Sequence, residues 1–217
     1  VPITARLVAD MFKAAGAKRM ISIDLHSGQI QGFFEGPVDH LTAMPVLEDY
    51  IRRQAPDAPV IVSPDSGRIK VAERMAQHLH DCKADIAFIY KRRPKGQANV
   101  VEAKEVIGDV RGRLCILTDD MIDTAGTIVS AAEILRERGA TEVWAMATHG
   151  VLSGPAIDRL KNSEISRVVL TNTLPLPPDK QIPQIEVLSV AEIIAEALSA
   201  VFEDTSVSEI FDGENLT

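Results

Sequence analysis

Hydrophobic positions alternate between helical and strand-like spacing along most of the chain. Near the start, Leu7, Val8, Met11 and Phe12 form an apolar stripe at helical spacing, which predicts a helix from Thr4 to about residue 15. Short apolar runs bounded by turn residues predict buried strands at 19–24, 60–62, 86–90, 114–117, 143–148, 167–171 and 185–188. Further helices are predicted at 41–53, 68–80, 127–138, 155–160 and 189–202.

The alternation of strands and helices predicts the fold class. Strands that take turns with helices pair in parallel, are joined by right-handed crossovers and carry helices on both faces of the sheet. The polar stretch at 91–101 is the exception, and we expect it to be irregular. The length of 217 residues suggests one large domain, or one domain and a fragment.

Composition narrows the function classes. The chain is 46% hydrophobic and 25% charged, an ordinary globular balance. Its net charge of −8 argues against non-specific nucleic-acid binding. Neither Cys82 nor Cys115 has a spacing typical of a metal site or a disulfide framework, so we expect a reducing, cytoplasmic setting. We also find no apolar run of membrane length and no signal peptide.

The stretch RLCILTDDMIDTAGT, residues 113–127, combines a buried strand, an acidic loop and a helix start. Asp119 and Asp120 follow the strand, at the edge where open α/β sheets bind ligands. The unpaired N–H groups of the helix start suit a phosphate. Because carboxylates repel phosphate, we expect the two acids to face sugar hydroxyls or a divalent cation. The predicted phosphate loop consists of Asp123, Thr124, Ala125, Gly126 and Thr127.

Two other predicted strands end in polar segments. His26 follows the first strand together with Gln29 and Gln31, and an imidazole there can bind a metal or contact a phosphate. After the strand at 60–62 comes SPDSGR, where the amides of Ser66 and Gly67 together with Arg68 can grip a pyrophosphate, and where Asp65 can hold a cation. A simple capped turn remains the alternative for SPDSGR.

The segment Lys91-Arg92-Arg93 begins a polar, cationic connection. Mobile cationic loops close over transferring phosphoryl groups, whereas a bare basic run is more often a solvated surface. The neighbouring phosphate loop favours the first interpretation.

The chain resembles a known family. The segments DLHSGQIQGFFEGPVDHL, IVSPDSGR, YKRRPKGQANV, ILTDDMIDTAGT, ATHGVLSGPA, TNTL and SVSEIF occur in the order seen in ribose-phosphate pyrophosphokinases, the class I phosphoribosyl-diphosphate (PRPP) synthetases. The phosphate loop also resembles the PRPP loop of the type I phosphoribosyltransferase fold. The chain departs from the pattern at Ala125, where many relatives have Gly, and in a slightly long connection after Arg93.

The resemblance implies a reaction and roles for residues. The fold would be of type I phosphoribosyltransferase kind, with a parallel sheet flanked by helices and the remnant of a second similar domain. The diphosphoryl group of ATP would pass to the C1 hydroxyl of ribose 5-phosphate, giving PRPP and AMP, with Mg²⁺ as cofactor. The implied residues are His26 and Asp65 for the metal, Lys91, Arg93 and His26 for catalysis, Asp65, Ser66, Gly67 and Arg68 for ATP and pyrophosphate, and Arg93, Asp119, Asp120 and residues 123–127 for ribose 5-phosphate.

The resemblance also implies regulation and assembly. Ser206 and Ser208 would bind an activating phosphate ion or inhibitory ADP at a subunit interface. The assembly would be a homo-oligomer, a hexamer in the intact family.

The same resemblance gives the domain organisation. Residues 1–42 would end an N-terminal domain, 43–200 would form the C-terminal domain and 201–217 would return to the first. A segment before Val1 would be missing, so the fragment alone is expected to be inactive and to expose apolar surface on residues 1–42. Three alternatives stay open: a phosphoribosyltransferase that uses PRPP, a non-catalytic regulatory subunit of the synthetase family, and a simple phosphosugar-binding module.

Overall fold

The structure is a computed structural model, and it describes residues 4–54, 56–92 and 103–211. The chain divides into two compact units. The first unit comprises Val1–Ala43 with Ser189–Thr217, and the second is Met44–Leu188.

The second unit is built on one seven-stranded sheet. Its strands are β3 (Val60–Ser63), β4 (Asp85–Arg92), β5 (Ala103–Ile107), β6 (Leu114–Ile122), β7 (Glu142–Gly150), β8 (Arg167–Thr171) and β9 (Ile185–Leu188). Their order across the sheet is β5-β4-β3-β6-β7-β8-β9, and all neighbours are parallel except β4 and β5. The central position of β6 places its carboxyl end in the middle of one edge of the sheet.

Helices cover both faces of this sheet. Its helices are α2 (Met44–Gln54), α3 (Ile69–His78), α4 (Gly126–Glu137) and α5 (Ala156–Lys161), with short 3-10 helices at His80–Cys82 and Pro178–Lys180. Side chains alternate along the strands, so Val60 and Val62 pack into the core formed with α4 and α5, while Ile61 packs into the core formed with α2 and α3. The predicted α/β class with parallel strands between two helical layers is therefore confirmed.

Among its described residues, the first unit contains two parallel strands and two α-helices. Its elements are α1 (Thr4–Ala14), β1 (Met20–Ile23), β2 (Val38–Leu41) and α6 (Ala191–Phe202), with 3-10 helices at Gly28–Phe33 and Val207–Phe211. The apolar stripe of α1 is largely exposed, with Leu7 at 60% and Met11 at 62% of full exposure. The expected apolar surface on residues 1–42 is thus confirmed on this helix.

Four differences separate the predicted elements from the observed ones. Strand β2 lies in a stretch for which no strand was predicted, and it forms by pairing with β1. Strand β5 was not predicted, and β4 extends through Lys91 and Arg92 because it pairs antiparallel with β5. The expectation of an irregular segment from residue 91 onwards is therefore wrong for these two residues. Strand β6 continues past the predicted end at Leu117, because β7 pairs with it as far as Ile122.

The packing units differ from the expected domain limits at one boundary. The first break falls after Ala43, next to the expected limit at residue 42. The second falls after Leu188, so α6 counts with the first unit, whereas the expected domain of 43–200 included it. The assignment of 1–42, 43–200 and 201–217 as domains stays a prediction. Within the described residues, the structure contains no helix with the length and apolar character needed to cross a membrane.

Candidate functional site

The carboxyl end of β6 carries the two predicted acids. Strand β3 pairs with β6 only as far as Leu117, so beyond that point β6 keeps its partner β7 on one side. Asp119 and Asp120 lie in this extension, and both belong to the strand rather than to a loop. The side chain of Asp120 is almost fully buried at 3% exposure, and that of Asp119 is 23% exposed. Two neighbouring carboxylates that are largely removed from water need a positive charge nearby.

Arg68 supplies that counter-charge. Its Nη2 lies 2.6 Å from Oδ1 of Asp120, and its Nε lies 3.6 Å from Oδ1 of Asp119. The buried Nη2 atom has no hydrogen bond of acceptable geometry, so the contact with Asp120 is an ion pair at a poor hydrogen-bond angle. The expectation that Arg68 binds a pyrophosphate stays a prediction. In this structure its guanidinium forms ion pairs with Asp119 and Asp120.

Burial and the neighbouring acid perturb Asp119. Loss of water around its carboxyl group is the largest cause that raises its pKa to about 7. The side chain of Asp120 acts in the same direction through a hydrogen bond and its charge, whereas the backbone N–H of Asp120 lowers the pKa. The charge of Arg68 opposes this rise. The N–H of Asp120 donates to Oδ1 of Asp119 over 2.9 Å, which fixes the orientation of that carboxyl group. An acid that is partly neutral near pH 7 repels a nearby phosphate less than a full carboxylate does.

The predicted phosphate loop connects β6 to α4. Ala125 precedes the first residue of the helix and has φ of 60° and ψ of 3°, the left-handed conformation that favours glycine. Its carbonyl oxygen already accepts a helical hydrogen bond from the N–H of Val129 over 3.0 Å. The first N–H groups of a helix have no intrahelical acceptor and attract anions. The loop therefore has the backbone geometry of an anion site.

The connection between β7 and α5 supports this loop. The N–H of Leu152 donates to the carbonyl of Ile122, and the N–H of Ser153 donates to the carbonyl of Asp123, each over 3.0 Å. The hydroxyl of Ser153 also donates to the carboxylate of Asp123. Leu152 is buried and left-handed, with φ of 50°, which turns the chain toward the phosphate loop. Both the carbonyl and the carboxylate of Asp123 are therefore hydrogen-bonded to Ser153 in the β7–α5 connection.

A sequence profile decides the family of this chain. The profile, described as "Phosphoribosyl synthetase-associated domain", matches residues 87–212, which is more than half of the chain. The chain belongs to the phosphoribosyl synthetase-associated domain family.

Longer proteins are similar to this member of the family. A ribose-phosphate pyrophosphokinase from Streptomyces avermitilis is 54% identical over 212 residues, covering 97% of this chain and 64% of that protein. The protein of the same name from Clostridium acetobutylicum is 54% identical, with 98% of this chain and 66% of that protein covered. The crystal structure of phosphoribosylpyrophosphate synthetase from Mycobacterium smegmatis superposes with a TM-score of 0.85 at 52% identity, covering 94% of this chain and 65% of that one. The chain thus spans slightly less than two thirds of the length of these relatives.

These similarities bear on two expectations. The resemblance to ribose-phosphate pyrophosphokinases is confirmed by the two relatives. The expected fold, with its parallel sheet flanked by helices, is confirmed by the superposition on the Mycobacterium smegmatis structure.

The turn after β3 holds further predicted residues of this family member. Oδ1 of Asp65 accepts the N–H of Gly67 over 2.8 Å, and the hydroxyl of Ser63 donates to the carbonyl of Asp65 over 2.6 Å. The amide of Gly67, expected to bind pyrophosphate, is therefore occupied within the turn in this structure. Ser66 is exposed beside it. The roles of Asp65, Ser66 and Gly67 toward ATP stay predictions.

His26 lies in the first unit, in a turn held from both sides. The N–H of Leu25 donates to Nε2 of His40 over 2.9 Å, and the N–H of Ala43 donates to Oδ2 of Asp24 over 2.9 Å. Asp24 has φ of 41°, a left-handed conformation that these bonds maintain. The side chain of His26 is exposed at the surface. His40 thus acts as a buried support for the turn.

The remaining predicted residues are placed only in part. The backbone of Lys91 lies in β4, paired with Lys104, and Arg93 lies outside the described residues. Ser206 and Ser208 are exposed at the 3-10 helix Val207–Phe211 of the first unit. In the described part of the chain, no group of three or more His, Cys, Asp or Glu side chains is arranged to hold a metal ion. A cavity of about 1110 Å³ opens near the amino ends of β4 and β6, and the predicted site residues do not line it.

Two residues near the phosphate loop were not predicted from the sequence. Ser153 and Arg159 belong to ATHGVLSGPAIDRL, whose first ten residues signalled only the family. Nη1 of Arg159 donates to the carbonyl of Thr124 over 2.9 Å. No local pattern marks a contact between residues 35 positions apart, so only the fold reveals it.

Proposed function

We propose that the protein containing this chain is a ribose-phosphate diphosphokinase. The C1 hydroxyl oxygen of ribose 5-phosphate attacks the β-phosphorus of ATP, the bond between that phosphorus and the oxygen bridging to the α-phosphate breaks, and AMP leaves. The hydroxyl proton is lost to base or solvent, and PRPP is formed. The observation that carries this proposal is the acid pair at the end of β6, followed directly by an anion-binding loop, in a chain so similar to ribose-phosphate pyrophosphokinases.

The sugar phosphate fits the β6–α4 connection. The amides at the start of α4 would take the 5-phosphate, and Asp119 and Asp120 would accept hydrogen bonds from ribose hydroxyls. Carboxylates that are acceptor-only when ionised suit hydroxyl donors better than they suit phosphate. Arg68 limits the repulsion between the acid pair and the dianionic substrate, because it lies within ion-pair distance of both acids.

ATP and its cation are the second part of the proposal. Mg²⁺ usually takes one or two protein carboxylates together with substrate phosphates, so Asp65, with one oxygen engaged by Gly67, fits as a donor. His26 is the second proposed donor. The ion would supply charge neutralisation on the phosphates of ATP. Lys91 and Arg93 are proposed to stabilise the diphosphoryl group as it is transferred, because charge spreads over its oxygens in the transition state.

Assembly and compartment are proposed from the same similarity. Ser206 and Ser208 would bind a phosphate ion or ADP at an interface of a homo-oligomer, a hexamer as in the resembling family. We propose the cytoplasm as the compartment, which suits the free thiols of Cys82 and Cys115.

The test is an enzyme assay on the product of the complete reading frame that contains these residues, run beside the 217-residue chain itself. With Mg-ATP and ribose 5-phosphate, the former should release AMP and PRPP in equal amounts. A phosphoribosyltransferase would instead consume PRPP with a free base and release pyrophosphate. A regulatory subunit or a phosphosugar-binding module would give neither reaction while still binding ribose 5-phosphate.

A further inference from the structure

The phosphate loop has a neighbour that none of its expected roles includes. Arg159 lies on α5, and its Nη1 donates to the carbonyl oxygen of Thr124 over 2.9 Å. The same atom lies 3.2 Å from the position that a Cβ on Gly126 would occupy. The guanidinium thus contacts the loop at the Thr124 carbonyl and lies beside Gly126. We propose that Arg159 is a positioning residue, which sets the loop in the conformation that receives the 5-phosphate.

The argument begins with the peptide between Thr124 and Ala125. A trans peptide is planar, and its C=O and N–H point to opposite sides. When Arg159 holds the Thr124 carbonyl on the α5 side, the Ala125 N–H must point away from α5. This is the side on which a phosphate can meet the amide, because the α5 side is filled by the guanidinium.

The left-handed conformation of Ala125 gives the second step. An alanine with φ of 60° is strained relative to the ordinary helical region, because its Cβ crowds the neighbouring carbonyl oxygen. Strain of this kind persists only when surrounding contacts over-determine it. Burial of Ala125 and the hydrogen bond from Arg159 to the preceding carbonyl are two such contacts. A left-handed residue beside right-handed ones makes successive N–H groups converge, which forms an anion-binding nest.

Gly126 gives the third step. A Cβ at this position would lie against the Arg159 guanidinium, 3.2 Å from Nη1 and 3.8 Å from Cζ. The φ of this glycine lies outside the left-handed region, so its backbone does not by itself require glycine. The absence of a side chain at 126 therefore leaves room for the guanidinium. Gly126 and Arg159 therefore act together. A side chain at position 126 and the loss of the guanidinium should each disturb the conformation of the loop and weaken phosphate binding.

The inference rests on the proposed binding of ribose 5-phosphate, but part of its test does not need a ligand. In the ligand-free 217-residue chain, Arg159→Met should speed hydrogen exchange about tenfold at two amides that donate to carbonyls of the loop, Val129 to Ala125 and Ser153 to Asp123. The reason is that the loop loses a hydrogen bond from a charged donor. Exchange at Leu117, in the buried part of β6, should not change. Lys161→Met is the matched control, because it removes the same charge from the same helix. Equal exchange at Val129 and Ser153 in Arg159→Met, Lys161→Met and the parent chain would overturn the proposal.

Titration calorimetry with ribose 5-phosphate supplies the second readout. Arg159→Met should weaken binding about tenfold or more, and Arg159→Lys, which keeps a donor of similar reach, should recover part of the loss. Gly126→Ala should also weaken binding in the parent chain. In the Arg159→Met background it should lower the affinity by less than a further factor of about two, because both changes disturb the same contact between Arg159 and the loop. Losses that multiply, or an Arg159→Met variant that binds like the parent, would overturn the proposal.

The two readouts separate this inference from the proposed function. If the parent chain does not bind ribose 5-phosphate while Arg159→Met still loosens the loop, the assignment of the 5-phosphate to this loop fails and the positioning of the loop by Arg159 stands. If the parent chain binds ribose 5-phosphate and Arg159→Met alters neither binding nor exchange, the positioning role fails and the proposed function stands.

Discussion

Replacing Asp119 with asparagine should stabilise the ligand-free protein at alkaline pH while weakening its binding of ribose 5-phosphate. The asparagine side chain would be neutral at every pH, and its amide oxygen can still accept the N–H of Asp120, which now lies 2.9 Å from the carboxylate oxygen. The substitution thus removes a buried charge with little change of shape. It also removes the ionised acceptor that we assign to a ribose hydroxyl.

The sign and size of the expected change in stability follow from the pKa of Asp119. Burial raises this pKa to about 7 in the folded chain, against about 3.9 for an unfolded aspartate. Between these values the folded state holds a proton that the unfolded state has lost, so the stability of the parent chain falls as pH rises from about 4 to about 7. A difference of roughly three pKa units corresponds to at most about 4 kcal/mol. We therefore expect Asp119→Asn to raise the free energy of unfolding by about 2–4 kcal/mol at pH 8. At pH 5 the difference between the two chains should be smaller.

Denaturant unfolding of the parent and variant between pH 5 and 8 measures this difference. Trp144 is the single tryptophan, is only 5% exposed and lies in the second unit, so its fluorescence reports on the unit that holds Asp119. Asp179→Asn, at an exposed carboxylate of the same unit, is the matched control. A stability difference between Asp119→Asn and the parent that is the same at pH 5 and pH 8 would refute the electrostatic reasoning.

Three further predictions concern other parts of the chain. Ala125→Gly should raise Tm slightly or leave it unchanged, because relief of about 1–2 kcal/mol of left-handed strain exceeds the roughly 0.4–1 kcal/mol that glycine costs through the unfolded state; a fall in Tm would contradict this. Burial lowers the pKa of His40, so the first unit should lose stability as pH falls below about 6.5, measured as lower amide-exchange protection factors in β1 and β2, and His40→Gln should flatten that dependence. In the complete protein, under the proposed reaction, Lys91→Ala should lower kcat far more than it raises KM, and steady-state kinetics with KM raised and kcat unchanged would make Lys91 a ground-state contact instead.

Local patterns were enough to predict the α/β class and the strand, acid pair and phosphate loop at residues 114–127. Buried parallel strands are nearly continuous apolar runs, and a helix start that follows one is visible in the sequence. Boundaries that depend on partners were not visible. Strand β6 continues through two acids because β7 pairs with it, and the weakly apolar segment Ala103–Ile107 becomes a strand because it pairs with β4. In both places tertiary hydrogen bonding outweighs the intrinsic preferences of the residues.

The contacts that give the site its electrostatics were also invisible in the sequence. Arg68 was assigned to a ligand, yet it neutralises the acid pair of β6 from the end of a different strand. Arg159 sits in an ordinary helical pattern, and only the fold brings it to Thr124. Sequence spacing predicts which residues share an element, whereas charge partners from separate elements emerge only from the packed structure.

A crystal structure of the chain with ribose 5-phosphate tests the central claim most directly. The account predicts phosphate oxygens at hydrogen-bond distance, about 2.7–3.2 Å, from backbone amides of residues 124–127, with ribose hydroxyls at the carboxylates of Asp119 and Asp120. A phosphate bound instead at the turn of Ser66 and Gly67, with the 124–127 amides unoccupied, would contradict it.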